Sequence, residues 1–134
     1  VTETAIVLPV ILLLISATIE ISSAIYLKET LTVAAYEGAR MAVQRHATDR
    51  DVMTKTREIL RRRQIEFGGK NIRQLVTISP AVDQVETLNP ITVTVRAPTK
   101  DNLILPFSWL RLFSVDELEA NVTMLKEYTA ENNN

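Results

Sequence analysis

Ala5-Ile-Val-Leu-Pro-Val-Ile-Leu-Leu-Leu-Ile15 is the stretch on which the reading of this chain turns, because a helix made of it is apolar on every side. It opens a run that reaches Leu27 with Glu20 as its only formal charge. At 1.5 Å per residue such a run spans roughly 34 Å, against a hydrocarbon core of about 30 Å. A chain of 134 residues has too small an interior to surround that helix. Its surroundings must therefore be lipid or other helices like itself. A cleaved secretory signal fits less well, since its apolar region is shorter, follows positive charge and precedes a small-residue cleavage site.

Working outward, nothing stops the helix at Leu27. From Lys28 to Arg45 the chain has no Gly-Pro punctuation and is rich in Ala, Leu, Glu, Met, Gln and Arg, all good helix formers. The expected helix, about Ala5 to Arg45, is roughly 60 Å long, twice the bilayer core. In its outer half Leu27, Leu31, Ala34, Ala35, Gly38, Ala39 and Ala42 recur at three- and four-residue spacing. Small residues let helix backbones approach closely, so this seam is expected to receive a neighbouring copy of the helix.

A second helix is signalled by Thr48, which can cap it, with Asp51 three residues on completing a box-like pattern. Val52, Met53, Thr56, Ile59, Leu60 and Phe67 fall within one arc, Arg63 lies in that stripe and must snorkel, and Gly68-Gly69 is the expected stop. Beyond it the periodicity changes to two. Val76, Ile78 and Val82, then Ile91, Val93 and Val95, then Val122 and Met124 alternate with polar or small residues. Clean alternation predicts one buried and one wet face, hence a three-stranded antiparallel sheet covered by the helices. The fold class is α+β, divided into an assembly helix (1–46) and a head (47–134). In the connection Ala97 to Glu119, the cluster from Leu103 to Phe113 suits three tasks: sealing the sheet, touching a partner or meeting a membrane surface. The tail Ala130 to Asn134 reads as solvated.

Composition excludes most chemistry. Zero cysteines remove disulfides, thiolate metal sites and thiol nucleophiles, and a single histidine removes most imidazole chemistry. No phosphate loop, His-Glu-x-x-His, EF-hand loop or nucleophile elbow is present. His46 reads as a helix C-terminal cation or hinge residue. Asp116, Glu117 and Glu119 supply too few oxygens for calcium. Asn121-Val-Thr123 fits the glycosylation sequon but sits in a predicted strand. Charge is polarised: residues 1–27 carry two acids and no bases, 28–73 eleven bases and six acids, 74–134 four bases and eight acids. Arg61-Arg62-Arg63 has only Phe67 nearby for base stacking, so nucleic acid is not the expected partner. The expectation is a non-enzymatic protein with no cofactor or metal.

A carboxylate in an apolar span costs at least about 2.5 kcal/mol by insertion scales, which marks Glu3 and Glu20 as candidate functional residues. The block Glu3-Thr-Ala-Ile-Val-Leu-Pro9, then Ile19-Glu20, then Ala34-Ala-Tyr-Glu-Gly-Ala-Arg40-Met-Ala42 resembles the amino-terminal region of TadE-like proteins, pilin-like subunits of the tight-adherence (Tad/Flp) pilus machinery. Acid to proline is six residues and proline to the second acid eleven. The resemblance is close over the first third and extends more loosely to the strand order and Val122-Thr-Met-x-Lys-Glu127.

The resemblance implies a precursor cut by a prepilin peptidase, held in the bacterial inner membrane and then drawn by an ATP-driven assembly machine into a cell-surface filament. In type IV pilins the important acid is the fifth mature residue, whereas here it is the third, so the cleavage register or the first residues differ. Lys28 and Arg40 follow the span and no base precedes it, which by the positive-inside rule keeps the bulk in the cytoplasm. Loss of a basic leader, implied by the resemblance, reverses that count. Two roles follow: a subunit that polymerises through its helix, or a membrane-retained minor pilin or assembly factor. Either way the partners are copies of the chain, the peptidase, the assembly machinery and the membrane. Glu3 is expected to pair with the free α-amine of an adjacent copy. Glu20 is expected to find Lys28 or Arg40 of another copy.

Overall fold

A computed structural model of the chain describes residues 1–105 and 114–127. The long helix α1 runs Thr2–Ala42, about 62 Å at the standard rise. It starts and ends three residues earlier than the sequence expectation. The end is built by a turn: Val43 N–H donates back to the Ala39 carbonyl at 3.2 Å, and His46 has φ +60°. His46 thus sits in the reversal, in the left-handed region that only a minority of non-glycine residues occupy. Pro9 lies inside α1 and cannot donate to the carbonyl of Ala5. The hydroxyls of the span are internally satisfied: Ser16 donates to Leu12 O at 2.8 Å, Thr18 to Leu14 O at 2.8 Å and Ser22 to Thr18 O at 2.9 Å.

Helix α2, Asp49–Arg62, begins as the sequence predicts. Thr48 Oγ1 accepts the Asp51 N–H at 3.3 Å while Asp51 Oδ2 accepts the Thr48 N–H at 3.0 Å. Val52, Thr56 and Leu60 are buried and Met53 and Ile59 half-buried, as the stripe requires. The helix ends earlier than Gly68-Gly69, however. Arg63 is its exposed C-cap, with no snorkelling, and Gln64 at φ +57° turns the chain away. Phe67 is off the helix yet still packs on the core. Gly68, at φ +59°, makes a turn of its own, and a β-carbon there would stand 3.0 Å from both Pro98 and Asp101.

After the four-residue helix α3 (Ile72–Leu75) come β1 (Val76–Ser79), β2 (Pro90–Pro98) and β3 (Glu117–Leu125), paired antiparallel in the order β1-β2-β3. The register places Ile91 opposite Met124, Val93 opposite Ile78 and Val122, and Val95 opposite Val76 and Ala120. One face is therefore continuous and apolar. Val82 is not in the first strand: it is buried in a 3-10 turn, Val82–Gln84, whose first N–H donates to Asp49 Oδ1 at 2.8 Å. On the wet face the hydroxyls of Thr92 and Thr123 share a hydrogen bond at 2.8 Å, and Arg96 Nε meets Glu119 Oε2 at 2.8 Å. Asn121 is exposed on that face.

Leu27, Leu31, Ala34, Ala35, Ala39 and Ala42 of α1 form one cluster with Val52 and Leu60 of α2 and Ile91, Val93, Val95 and Ala97 of β2. A division at residue 46 therefore separates nothing. The second half of α1 is the central element of the head, and only the first half stands clear of it.

Candidate functional site

The residues singled out by sequence all lie on α1, and the structure sorts them by depth and face. Up to Ile19 the helix is an apolar rod, with Ile6, Leu8, Val10, Leu12 and Leu14 all exposed. It is long and apolar enough to cross a membrane, with mean hydropathy 2.4 over its best 18-residue window. Glu3 and Pro9 are exposed on this rod. The first fully covered residue is Glu20, 2% exposed, followed by Ser23, whose hydroxyl donates to the Glu20 carbonyl at 2.9 Å. The helix preceding Glu20 is roughly 27 Å long, close to one hydrocarbon core.

The small-residue seam requires a correction. Ala35, Ala39 and Ala42 are completely buried within their own chain. Gly38 is where α1, α2 and the sheet converge: a β-carbon there would lie 2.7 Å from Thr56 Oγ1, 3.2 Å from Val93 Cγ1 and 3.6 Å from Val52 Cγ1. Close approach is what these residues provide, but the element they admit is α2, backed by β2. A copy of α1 cannot occupy the same face. Sequence periodicity identifies such a seam without saying which element fills it.

The opposite side of the docked half-helix carries what sequence reading missed. Ile21, Ile25, Tyr26, Val33 and Tyr36 are large, apolar or aromatic, and exposed. They continue the apolar surface of the rod along the head. Arg40 is also on the surface, 3.9 Å from Glu37. The signal was available, since at 100° per residue Ile25 and Tyr36 lie opposite Ala34 and Gly38, with Ile21 on one flank and Tyr26 and Val33 on the other. The cations assigned to Glu20 of another copy also have closer company: the Lys28 ammonium donates to the backbone carbonyl of Glu119, fastening α1 to the edge strand.

Electrostatics add local fastenings. Hydrogen bonds from the hydroxyl and backbone N–H of Thr48 hold the Asp51 carboxyl below the usual carboxylate range. The Glu119 carboxylate, hydrogen-bonded to Arg96, raises the arginine further. Of the acidic trio, Glu119 is thus engaged by Arg96 and Glu117 by Lys70, leaving little of a cation site. Among the described residues no three His, Cys, Asp or Glu side chains converge as metal ligands. The apolar cluster beyond Leu105 falls in 106–113, outside the described residues, as does the tail from 128.

A membrane-length rod, an acid at its start and an acid where the head begins are the pattern against which relatives can be judged. Residues 1–40 match the family described as TadE, TadE-like protein. Over that stretch the chain is similar to TadE-like proteins. The match covers α1 nearly to its end and none of α2 or the sheet. No curated protein and no solved structure matches the chain. The match links residues 1–40 to TadE-like proteins of the Tad pilus system.

Proposed function

We propose that this TadE-like chain is a structural pilin-like subunit, held in the membrane by the rod before Glu20 and assembled with copies of itself along the outward face of α1. The observation that carries the reading is the exposure of Val33 and Tyr36, 40% and 49%. Tyr36 lies about 24 Å along the helix beyond Glu20, too far for the bilayer that accommodates the rod. Apolar side chains so placed are covered best by the helix of another subunit. The interface is thus moved from the small seam to the opposite face. In the same reading Glu3 meets the α-amine of an adjacent copy, since a carboxylate in an apolar bundle needs a cationic partner. Processing by a prepilin peptidase and extraction by an assembly motor belong to this reading, as does a final place in a cell-surface filament.

The membrane-retained alternative has its own support. The rod alone is one bilayer long, so a permanently anchored minor pilin or assembly factor would use all of it, with Val33 and Tyr36 covered by a different subunit. Val33→Arg and Tyr36→Arg test the choice, because neither residue is in the core. Loss of sheared fibres with an unchanged membrane pool is expected. Wild-type fibre yield from both variants refutes the interface, and fibres that lack this chain altogether favour the retained role.

A further inference from the structure

The end of the head that faces the rod is fixed by three pairs. Gly38 abuts Val93, whereas Lys28, ten residues nearer the rod, reaches Glu119, the partner of Arg96 in the sheet. Moving along α1 toward Glu20 therefore means moving along β2 toward Pro98. The segment after α2 is bound to that same end. Asn102 Oδ1 accepts the Glu66 N–H at 2.8 Å, Asn102 Nδ2 donates to the Glu66 carbonyl at 2.9 Å, and Lys70 pairs with Glu117. The C-terminal end of α2 thus lies on the rod side, and Arg50 at its other end lies away from it.

On this side Arg57, Arg61, Ile65, Glu66, Phe67 and Lys70 line an open groove of about 820 Å³. Arg62 is paired with Glu58 and Lys70 with Glu117, but Arg57 and Arg61, one turn apart and both exposed, have no ion-pair partner among the described residues. Ile104, two residues past the Asn102 fastening, is 72% exposed at the same end. Glu66 contributes the opposing charge, so the groove is cationic by the two free arginines.

We propose that this end of the head rests on the membrane that holds the rod, with Arg57 and Arg61 receiving the phosphates of anionic lipid headgroups. The inference uses the membrane-spanning reading of α1 and is independent of whether filaments form. Charge complementarity and continuity with the rod select the occupant: juxtamembrane cations are attracted to an anionic leaflet, and guanidinium groups pair with phosphate through two parallel hydrogen bonds.

Because the chain has no cysteine, Gln64→Cys carries a single fluorophore in the full-length protein. It is placed in nanodiscs of phosphatidylcholine or of phosphatidylcholine with phosphatidylglycerol, each containing a headgroup-linked quencher. Stronger quenching in the anionic discs, lost in 0.5 M salt, is expected. Arg57→Gln and Arg61→Gln should each lower the docked-to-free ratio about fivefold, while Arg50→Gln leaves it unchanged. Equal quenching in both discs overturns the proposal, as does an equal effect of Arg50→Gln. Quenching that follows protein copies per disc, whatever the lipid charge, overturns it in favour of an acidic surface of a second copy. Inorganic phosphate that abolishes the difference at low millimolar concentration, with salt matched, replaces the lipid by free phosphate as the ligand. Failure to enter discs of either kind removes the membrane reading itself, a separate result from failure to dock.

Discussion

Gly38 faces Thr56 so closely that a β-carbon on the glycine would stand 2.7 Å from the threonine hydroxyl oxygen. That oxygen is buried and makes no hydrogen bond, so nothing but packing holds it there. The pair joins the membrane helix to α2 at a point where Val93 closes the third side.

Gly38→Ala tests this junction. Alanine gains about 1 kcal/mol of helix propensity, whereas overpacking costs about 1–3 kcal/mol. A net loss of up to about 2 kcal/mol is expected by urea unfolding in mild detergent. Thr56→Ala removes the opposing oxygen, so in its background the cost of Gly38→Ala should shrink. A stabilising Gly38→Ala, or strict additivity of the two, would contradict the geometry.

Truncation separates rod from core. Removing residues 1–18 leaves Glu20, Ser23 and Leu27 in place, and the remainder should be recovered in the soluble fraction with a cooperative melting transition. Removing 1–31 takes away Leu27 and Leu31, both essentially fully buried, and cooperativity should be lost. Two equally cooperative products would mean that the helix is dispensable to the head.

Acid should weaken the start of α2. Asp51 is held below its ordinary range in the folded chain by Thr48, so the carboxylate contributes stability above about pH 4 that fades as pH falls through the lowered folded value. Asp51→Asn and Thr48→Ala should flatten the acid limb of a melting-temperature profile and leave its alkaline limb alone. An unchanged acid limb in both variants counts against the cap as its source.

The two acids of α1 should separate in their effects. Glu3 is exposed, so Glu3→Gln should leave the unfolding midpoint as it is while reducing the fibre pool relative to the membrane pool. Glu20 is 2% exposed, and Glu20→Ala should lower the midpoint by opening a void. Full fibre yield from Glu3→Gln would remove the assembly role assigned to that residue.

Much of this was legible because it is local. The apolar rod, the Thr48–Asp51 box and the alternation of Ile91, Val93 and Val95 each depend on spacing within a few residues, and the structure keeps all three. The register of β3 was less visible, since Glu117, Glu119 and Asn121 give its outer face no apolar contrast until Ala120 and Val122 are read as its inner partners. The end of α2 was misread because Gly68-Gly69 is a strong stop signal, while the actual stop, at Arg63 and Gln64, uses residues with good helix propensity. The seam was misassigned for a different reason. Ala35, Gly38 and Ala39 specify a close approach, and whether the approaching element is a neighbour or the chain's own α2 is decided by tertiary packing.

The unbroken passage of α1 from rod to core has a mechanical consequence. No linker separates the part that lipid can hold from the part on which the head is built, and the Lys28 ammonium ties the helix to β3 as well. A pull on the rod is therefore transmitted along one helix, whose hydrogen-bond ladder lacks the Pro9 donor, into Leu27, Leu31 and the sheet. An extracting machine would move the head as a rigid follower. It could not stretch an intervening tether first, so slack between anchor and head is absent and displacement of one is displacement of the other.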